Sequence, residues 1–252
     1  MPTMALVTSR IRYDVGGGNA WRRFSEAVRA AALHDGVRSV CEPGGGARPL
    51  LDPDFVSAKG LEYVVLDISQ AELDKAPASH TKVRADLMSP DLGGLGTYDL
   101  VFSQTLAEHL VDPVVFHRNV LRILRPGGRA LHFFPTLYEP TMVLNRLLPE
   151  SVTQQLLLWL QPRRQRGGKE EKFHAYYRWC RGPTARQHRR LESVGFEVEE
   201  YVGFFGHDYL FDLSLLHRAQ FTLARALVRH PIPALTSAAY VVLRKPGATT
   251  RS

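Results

Sequence analysis

A chain of 252 residues with 44% hydrophobic and 23% charged residues has the length and balance of one large α/β domain with a well-buried core. Two cysteines, Cys41 and Cys180, exclude a disulfide framework and a cysteine-rich zinc site, and no run of about 18 apolar residues marks a membrane-spanning helix. The net charge of +7 is uneven: ten Lys and Arg residues fall between positions 163 and 190, opposed only by Glu170 and Glu171, so the remainder is close to neutral.

Met1 to Arg10 lacks the long apolar region of a signal peptide, which makes a cytoplasmic location the expectation. Arg12 to Gly18 reads as an arm that either leads in without fixed structure or folds over a ligand site with Tyr13 as a lid. Asn19 to Leu33 reads as an amphipathic helix capped by Asn19 and ended by Gly36, with Trp21, Phe24, Val28 and Ala31 on one apolar face.

An apolar run from Val37 to Val40 then enters Cys41-Glu42-Pro43-Gly44-Gly45-Gly46-Ala47-Arg48-Pro49. The pattern predicts a buried strand, a glycine turn, and a helix or broken helix. Glycines let a ligand approach the chain without a Cβ in the way, and amides at a helix start suit a carboxylate or phosphate. A dinucleotide fingerprint needs a third glycine where this chain has Pro49. A ligand loop with Glu42 at the strand end, and a plain tight turn, are the other readings.

Leu61 to Asp67 reads as a second buried strand ending in an acid. Asp67 is placed to receive both ribose hydroxyls of a nucleoside ligand. A short helix from Ser69 to Lys75 follows. Thr81 to Asp86 reads as a third strand, with Asp86 either a turn residue or a ligand contact. Tyr98 to Ser103 is the fourth strand. Asp112 and Pro113 open a helix with a broad apolar face, and Arg125-Pro126-Gly127-Gly128 stops it before a fifth strand, Ala130 to Phe134.

Here a family resemblance becomes specific. The stretch YDLVFSQTLAEHLVDPVVFHRNVLRILRPGGRALHFFP resembles the second half of class I S-adenosylmethionine-dependent methyltransferases. Glu42, Asp67 and Asp86 stand in register with it, so the resemblance covers roughly residues 37 to 136. It implies an α/β, Rossmann-like, seven-stranded, mostly parallel sheet with an antiparallel C-terminal edge strand. It implies S-adenosyl-L-methionine as cofactor and S-adenosyl-L-homocysteine as product. Glu42 would lie beside the methionine end, with Gly44, Gly45 and Gly46 passing under it. Asp67 would receive the ribose hydroxyls, Asp86 and Leu87 would serve the adenine, and Ile68, Ser103 and Gln104 would be further cofactor contacts. Ala47-Arg48-Pro49 departs from the small residues that many members carry there.

Leu137 to Gly182 reads as an insertion that resembles a substrate lid. Its Leu-rich part, Met142 to Leu160, is split by Pro149 into two expected helical pieces, packed in the core or in a homodimer. Thr184, with Gln187 as capping-box partner, opens a helix that Gly195 ends. Phe196 to Val202 is a strand, Gly203 to Tyr209 a loop, Leu210 to Arg229 a long helix and Thr236 to Arg244 the last strand. The whole reads as one domain: an arm and helix to residue 36, a core over 37–136, a lid over 137–182 and the end of the sheet over 183–246.

Four residues are candidates for acting on the acceptor: His109 after the fourth strand, His174 and Tyr177 in the lid, and His207 beside Asp208. Related sugar and small-molecule methyltransferases often carry a histidine at the position of His109. The expected reaction is O-methylation of a small molecule such as a glycan precursor or secondary metabolite. An RNA methyltransferase using the basic tract, and a cofactor-binding protein without methyl transfer, are the alternatives. The chain lacks the Asn/Asp-Pro-Pro-Tyr motif of exocyclic amino methyltransferases, which speaks against nucleic acid. No metal ligand set is evident.

Overall fold

The near-continuous apolar runs form strands covered on both faces. A computed structural model describes residues 11–137, 174–208 and 214–247. Eight described strands make one sheet: β1 (Ile11–Val15), β2 (Ser39–Pro43), β3 (Glu62–Asp67), β4 (Thr81–Arg84), β5 (Tyr98–Gln104), β6 (Leu124–Pro135), β7 (Glu197–Phe205) and β8 (Ala238–Arg244). Their order is β1-β7-β8-β6-β5-β2-β3-β4. All neighbours run parallel except β8, which is antiparallel to both β6 and β7. The Rossmann-like α/β class is as expected. Two details differ: there is an eighth strand, and the antiparallel strand lies inside the sheet, between β6 and β7.

The eighth strand is the N-terminal arm. Ile11 to Val15 pairs in register with Tyr201 to Phe205. Tyr13 stacks on Phe205 with ring centroids 5.5 Å apart and donates its hydroxyl to Pro183 O at 3.0 Å. That corrects both readings of the arm. An extended, alternating segment completes the exposed edge of β7 more readily than it hangs over a distant site.

The described helices are α1 (Gly18–Ala32), α2 (Pro53–Lys59), α3 (Gln70–Lys75), α4 (Pro113–Ile123), α5 (Ala185–Val194) and α6 (Ser214–Arg229). In α1 the cap is Gly17, not Asn19, whose amide instead donates to Val15 O at 2.7 Å. Its buried face is Ala20, Phe24, Val28 and Ala32, while Trp21 is 42% exposed. Asp112 and Thr184 cap α4 and α5 as expected, and Ser69 caps α3. The capping box on α5 is one-sided, because the Gln187 amide turns to Trp179 O. β7 runs on to Phe205, through residues that read as loop. The two helical pieces expected over 142–160 lie outside the described residues.

The sheet separates two cores. On one face Phe24 and Val28 of α1 meet Val40, Val65, Leu100, Phe102, Leu131 and Phe204. On the other, Phe116, Val120 and Ile123 of α4 and Leu191 of α5 meet Cys41, Val101, Ala130, Phe134 and Val241. Fully burying one such side chain contributes about 2 kcal/mol.

At the lower end of the sheet a single carboxylate ties three elements. Asp99 of β5 accepts from the amides of Arg38 and Ser39, from Ser39 Oγ and, on both its oxygens, from Arg125 Nη1, all at 2.9–3.0 Å. Burial works against its charge, but these donors outweigh it and hold the carboxyl below its ordinary value. Asp99→Ala strands two amides and an arginine and is expected to cost about 2–3 kcal/mol, read as a lowered urea midpoint at pH 7.

Candidate functional site

The chain passes from β2 outward to β3 and β4, then returns across β2 to β5. The strand order therefore reverses between β2 and β5, and the crevice at their carboxyl ends is where open α/β sheets hold ligands. The glycine turn Gly44–Gly46 follows β2, Asp67 ends β3, and Gln104 ends β5, so these segments are neighbours.

The turn is held from beneath by Glu42. Its side chain is 0% exposed. It accepts the Tyr63 hydroxyl, the Leu50 amide at 2.9 Å and the Gln104 side-chain amide at 2.9 Å. Gln104 also donates to Arg48 O at 3.1 Å, closing the loop. Burial pushes the Glu42 carboxyl up to about 7, against the pull of its three donors. Glu42 thus supports the loop from the interior, whereas the sequence reading set it against a ligand. No helix follows the turn. Pro49 disfavours helical backbone at Arg48 and lacks the N–H that a helix interior needs. Helical structure resumes only at Pro53, capped by Asp52. The loop therefore offers a ligand its own backbone and no helix start.

Asp67 is half-buried. Its Oδ1 accepts the Ser69 amide at 2.9 Å, and burial raises its carboxyl above the ordinary value. Its Oδ2 faces Gly46. A Cβ on Gly46 would stand 2.9 Å from that oxygen, and the φ of +40° there disfavours any side chain. Beside it Ile68 is 50% exposed, an apolar surface next to a carboxylate. Asp86 is exposed and accepts the Met88 amide at 2.8 Å, while Leu87 is packed in the α4 core. Ser103 is fully buried and bonds His132 Nδ1 at 2.8 Å. His132 lines, with His117 and Trp179, a cavity of about 20 Å³, too small for a substrate. Ser103 is therefore interior. Tyr13 lies five strand positions from β2, about 24 Å at the usual strand spacing, and is not a lid over this crevice.

The four acceptor-side candidates separate. His109 closes the 3-10 turn Ala107–His109 after β5, and that turn adjoins the glycine loop: a Cβ on Gly44 would stand 3.1 Å from Leu106 Cδ1. His174 is brought to it, its carbonyl 3.0 Å from His109 Nδ1. The Tyr177 amide bonds Glu108 O at 3.0 Å, but its side chain is only 6% exposed and belongs to the α4 core. His207 follows β7, three strand positions from β5. Asp208, its expected orienting partner, is turned to the start of α1, where it accepts the Gly18 amide at 2.6 Å.

Sequence reasoning did not single out Tyr63 or the isolation of Glu108. Glu108 is 5% exposed, and its Oε2 has no hydrogen-bond partner. Burial pushes this carboxyl up to about 8. A glutamate in an otherwise apolar turn, AEHL, is the only sign of it in the sequence. Of the basic tract, Arg163, Arg164, Arg166, Lys169 and Lys172 lie outside the described residues. Arg178 donates to Val111 O, and Arg181 to the Tyr177 and Cys180 carbonyls. Arg190 lies over the Trp179 ring. Arg186 and Arg189 are exposed.

The residues fit a nucleoside cofactor with an amino acid end. A half-buried carboxylate (Asp67), an exposed apolar neighbour (Ile68) and a side-chain-free turn converge, and a Cβ at Gly46 would crowd the carboxylate. Among the described residues no three His, Cys, Asp or Glu side chains gather as metal ligands. No described helix is long and apolar enough to cross a membrane.

Comparison with known proteins agrees with this geometry. Residues 41–132 match a family model described as a methyltransferase domain. An uncharacterized methyltransferase from Mycobacterium sp. strain KMS is 34% identical over 103 residues. That match spans 38% of this chain and 38% of the relative. An S-adenosylmethionine-dependent methyltransferase from Mesorhizobium loti has the same fold, with a TM-score of 0.55 at 19% identity over 87% of this chain and 96% of that one. The cyclase SpnF aligns over 90% of this chain and 81% of its own, with a TM-score of 0.55 at 17% identity. A phosphoethanolamine N-methyltransferase of Haemonchus contortus, solved with S-adenosyl-L-methionine, aligns over 90% of this chain and 53% of its own, with a TM-score of 0.53 at 15% identity.

The buried Glu108 carboxyl sets a pH dependence. Unfolded, it ionises near 4.5; folded, it keeps its proton to about 8. Between those values the folded state holds a proton that the unfolded state has lost, so stability falls as pH rises from 4.5 to 8. The loss is on the order of several kcal/mol. Glu108→Gln is expected to match wild type in urea at pH 4 and to exceed it at pH 8.5.

Proposed function

We propose that this chain, which carries a class I S-adenosylmethionine-dependent methyltransferase domain, binds S-adenosyl-L-methionine in the crevice at the carboxyl ends of β5, β2 and β3 and methylates a hydroxyl of a small-molecule acceptor. The observation that carries the reading is the Asp67 carboxylate facing the bare Gly46 across the β2–β3 pair, next to the β2–β5 point where the strand order reverses. Asp67 receives the ribose hydroxyls, and Ile68 lies along the flat base. Asp86, one loop further out, takes the adenine amino group, with Leu87 behind it. Gly44–Gly46 carry the amino acid end on a loop that Glu42 and Gln104 hold in shape.

When bound, this cofactor supplies a methyl group on an activated sulfonium. The chain's own task is to align the acceptor, exclude water and hold the acceptor's proton. His109, beside the glycine loop and 31% exposed at its side chain, is the proton acceptor. His174 is next to it, and the segment from residue 174 covers the turn through the Tyr176 and Tyr177 amides. Tyr177 and His207, by their burial and distance, take no part in proton transfer.

A second reading keeps the cofactor and drops the methyl transfer. The fold neighbour SpnF is named as a cyclase, so this fold also serves other chemistry. Tight cofactor binding without turnover on any hydroxyl acceptor supports that reading over ours.

Calorimetric titration with S-adenosylhomocysteine and, separately, NADH tests the site. Micromolar binding of the first alone is expected, weakened about 10- to 100-fold in Asp67→Ala, the worth of hydrogen bonds to a charged group. Binding of NADH instead, or of neither, sinks the proposal.

A further inference from the structure

The turn after β5 carries a buried carboxyl beside its histidine. His109 Nδ1 stands 3.0 Å from His174 O. A carbonyl only accepts, so Nδ1 carries the hydrogen and the lone pair of the neutral ring is on Nε2. That Nε2 is 3.9 Å from Glu108 Oε1. Glu108 is almost wholly buried, and its other oxygen has no partner. For packing alone, such a carboxyl is a poor choice, since an unsatisfied buried polar group costs about 1–3 kcal/mol.

The covering segment is built onto the same turn. The Tyr176 and Tyr177 amides both donate to Glu108 O, at 2.7 and 3.0 Å. Three non-glycine residues with left-handed backbone, Thr105, Tyr177 and Trp179, flank this contact, with φ of 47°, 51° and 63°. These are all such residues within the described chain. Strain of this kind persists where the surroundings over-determine a geometry. Among the described residues, the titratable groups facing Glu108 are His109 from its own turn and the buried Cys180 thiol from the covering segment.

We infer that Glu108 and His109 act as one acid–base pair toward the acceptor, with Nε2 of His109 taking the proton and Glu108 compensating the charge this creates. The inference rests on the methyl-transfer reading above. The acceptor O–H bond breaks as its oxygen gains the methyl carbon. The proton goes to Nε2, and the electron pair of the broken carbon–sulfur bond stays on sulfur. The pair is competent with His109 neutral and Glu108 ionised; taking the proton then makes an imidazolium 3.9 Å from a carboxylate in place of an isolated buried charge. His109 is the catalytic residue, and Glu108 is the positioning residue that acts through it. The competent form therefore grows as pH rises through the Glu108 midpoint, about 8.

The test is nuclear magnetic resonance on the full chain carrying 13C-glutamate and 15N-histidine, without ligand. His109→Asn and Glu108→Gln assign the signals, and circular dichroism checks that each variant folds. The Glu108 carboxyl is expected to titrate with a midpoint near 8. The His109 ring nitrogens are expected to shift in the same step, with Nε2 the bare nitrogen. In Glu108→Gln that step vanishes from the His109 signals. If Glu108→Gln does not fold, Glu108→Asp serves, and the shared step moves to a new midpoint. His109 signals indifferent to Glu108, a hydrogen on Nε2 of the neutral ring, or a Glu108 midpoint near 4.5 overturns the pair. S-adenosylhomocysteine binding in the same samples separates the two claims. Lost coupling with intact binding removes the pair alone, and intact coupling without binding removes the methyl-transfer reading.

Discussion

The crevice depends on a carboxyl group that never reaches solvent. Glu42 sits at the end of β2 and gathers the Tyr63 hydroxyl, the Leu50 amide and the Gln104 amide around two oxygens. Each of these donors comes from a different stretch of chain: β3, the far side of the glycine turn, and the end of β5. Burying an ionisable group is costly without partners, so the three contacts must be present together. Their joint effect is to fix where the turn leaves the sheet and how far it runs before Leu51 enters the core. The position of Gly46 against Asp67 follows from that.

The second constraint is the absence of a helix at the turn. In many open α/β sheets the loop after the first core strand runs straight into a helix whose amides face the ligand. Arg48-Pro49 prevents it here, and the short α2 begins only with Asp52 and Pro53. The Glu42 carboxylate replaces the missing helical hydrogen bonding at Leu50. One acid thus both shapes the turn and satisfies backbone that a helix would otherwise have satisfied.

Much of the sheet was legible because its strands are buried on both faces and end in recognisable turns. Asp112-Pro113 and Thr184 announced their helices through capping chemistry that acts locally. The place of Asp67 at a strand end was legible because a strand with a terminal acid after a glycine turn is a local pattern. Tyr13 was not, since strand pairing between residues 190 positions apart leaves no mark in the local sequence. The order of β6, β8 and β7 escaped for the same reason. Glu42 read as a ligand contact because a sequence shows a side chain's chemistry but not the direction in which it turns; Tyr63, which draws it inward, looked like an ordinary core aromatic. Glu108 was visible as part of a pattern, yet its isolation is a property of the segment folded over it.

The pairing of Ile11 with Tyr201 has a consequence for how the molecule is made. The first described strand docks onto the seventh, and the Asp208 contact with the Gly18 amide spans the same interval. Closing so long a loop is slow compared with forming the neighbouring helices and turns. The arm and α1 precede β6, β7 and β8 in the chain, and the packing of Phe24 and Val28 is complete only once those strands have formed. The part of the sheet face that α1 covers is therefore completed by contacts between segments far apart in the chain.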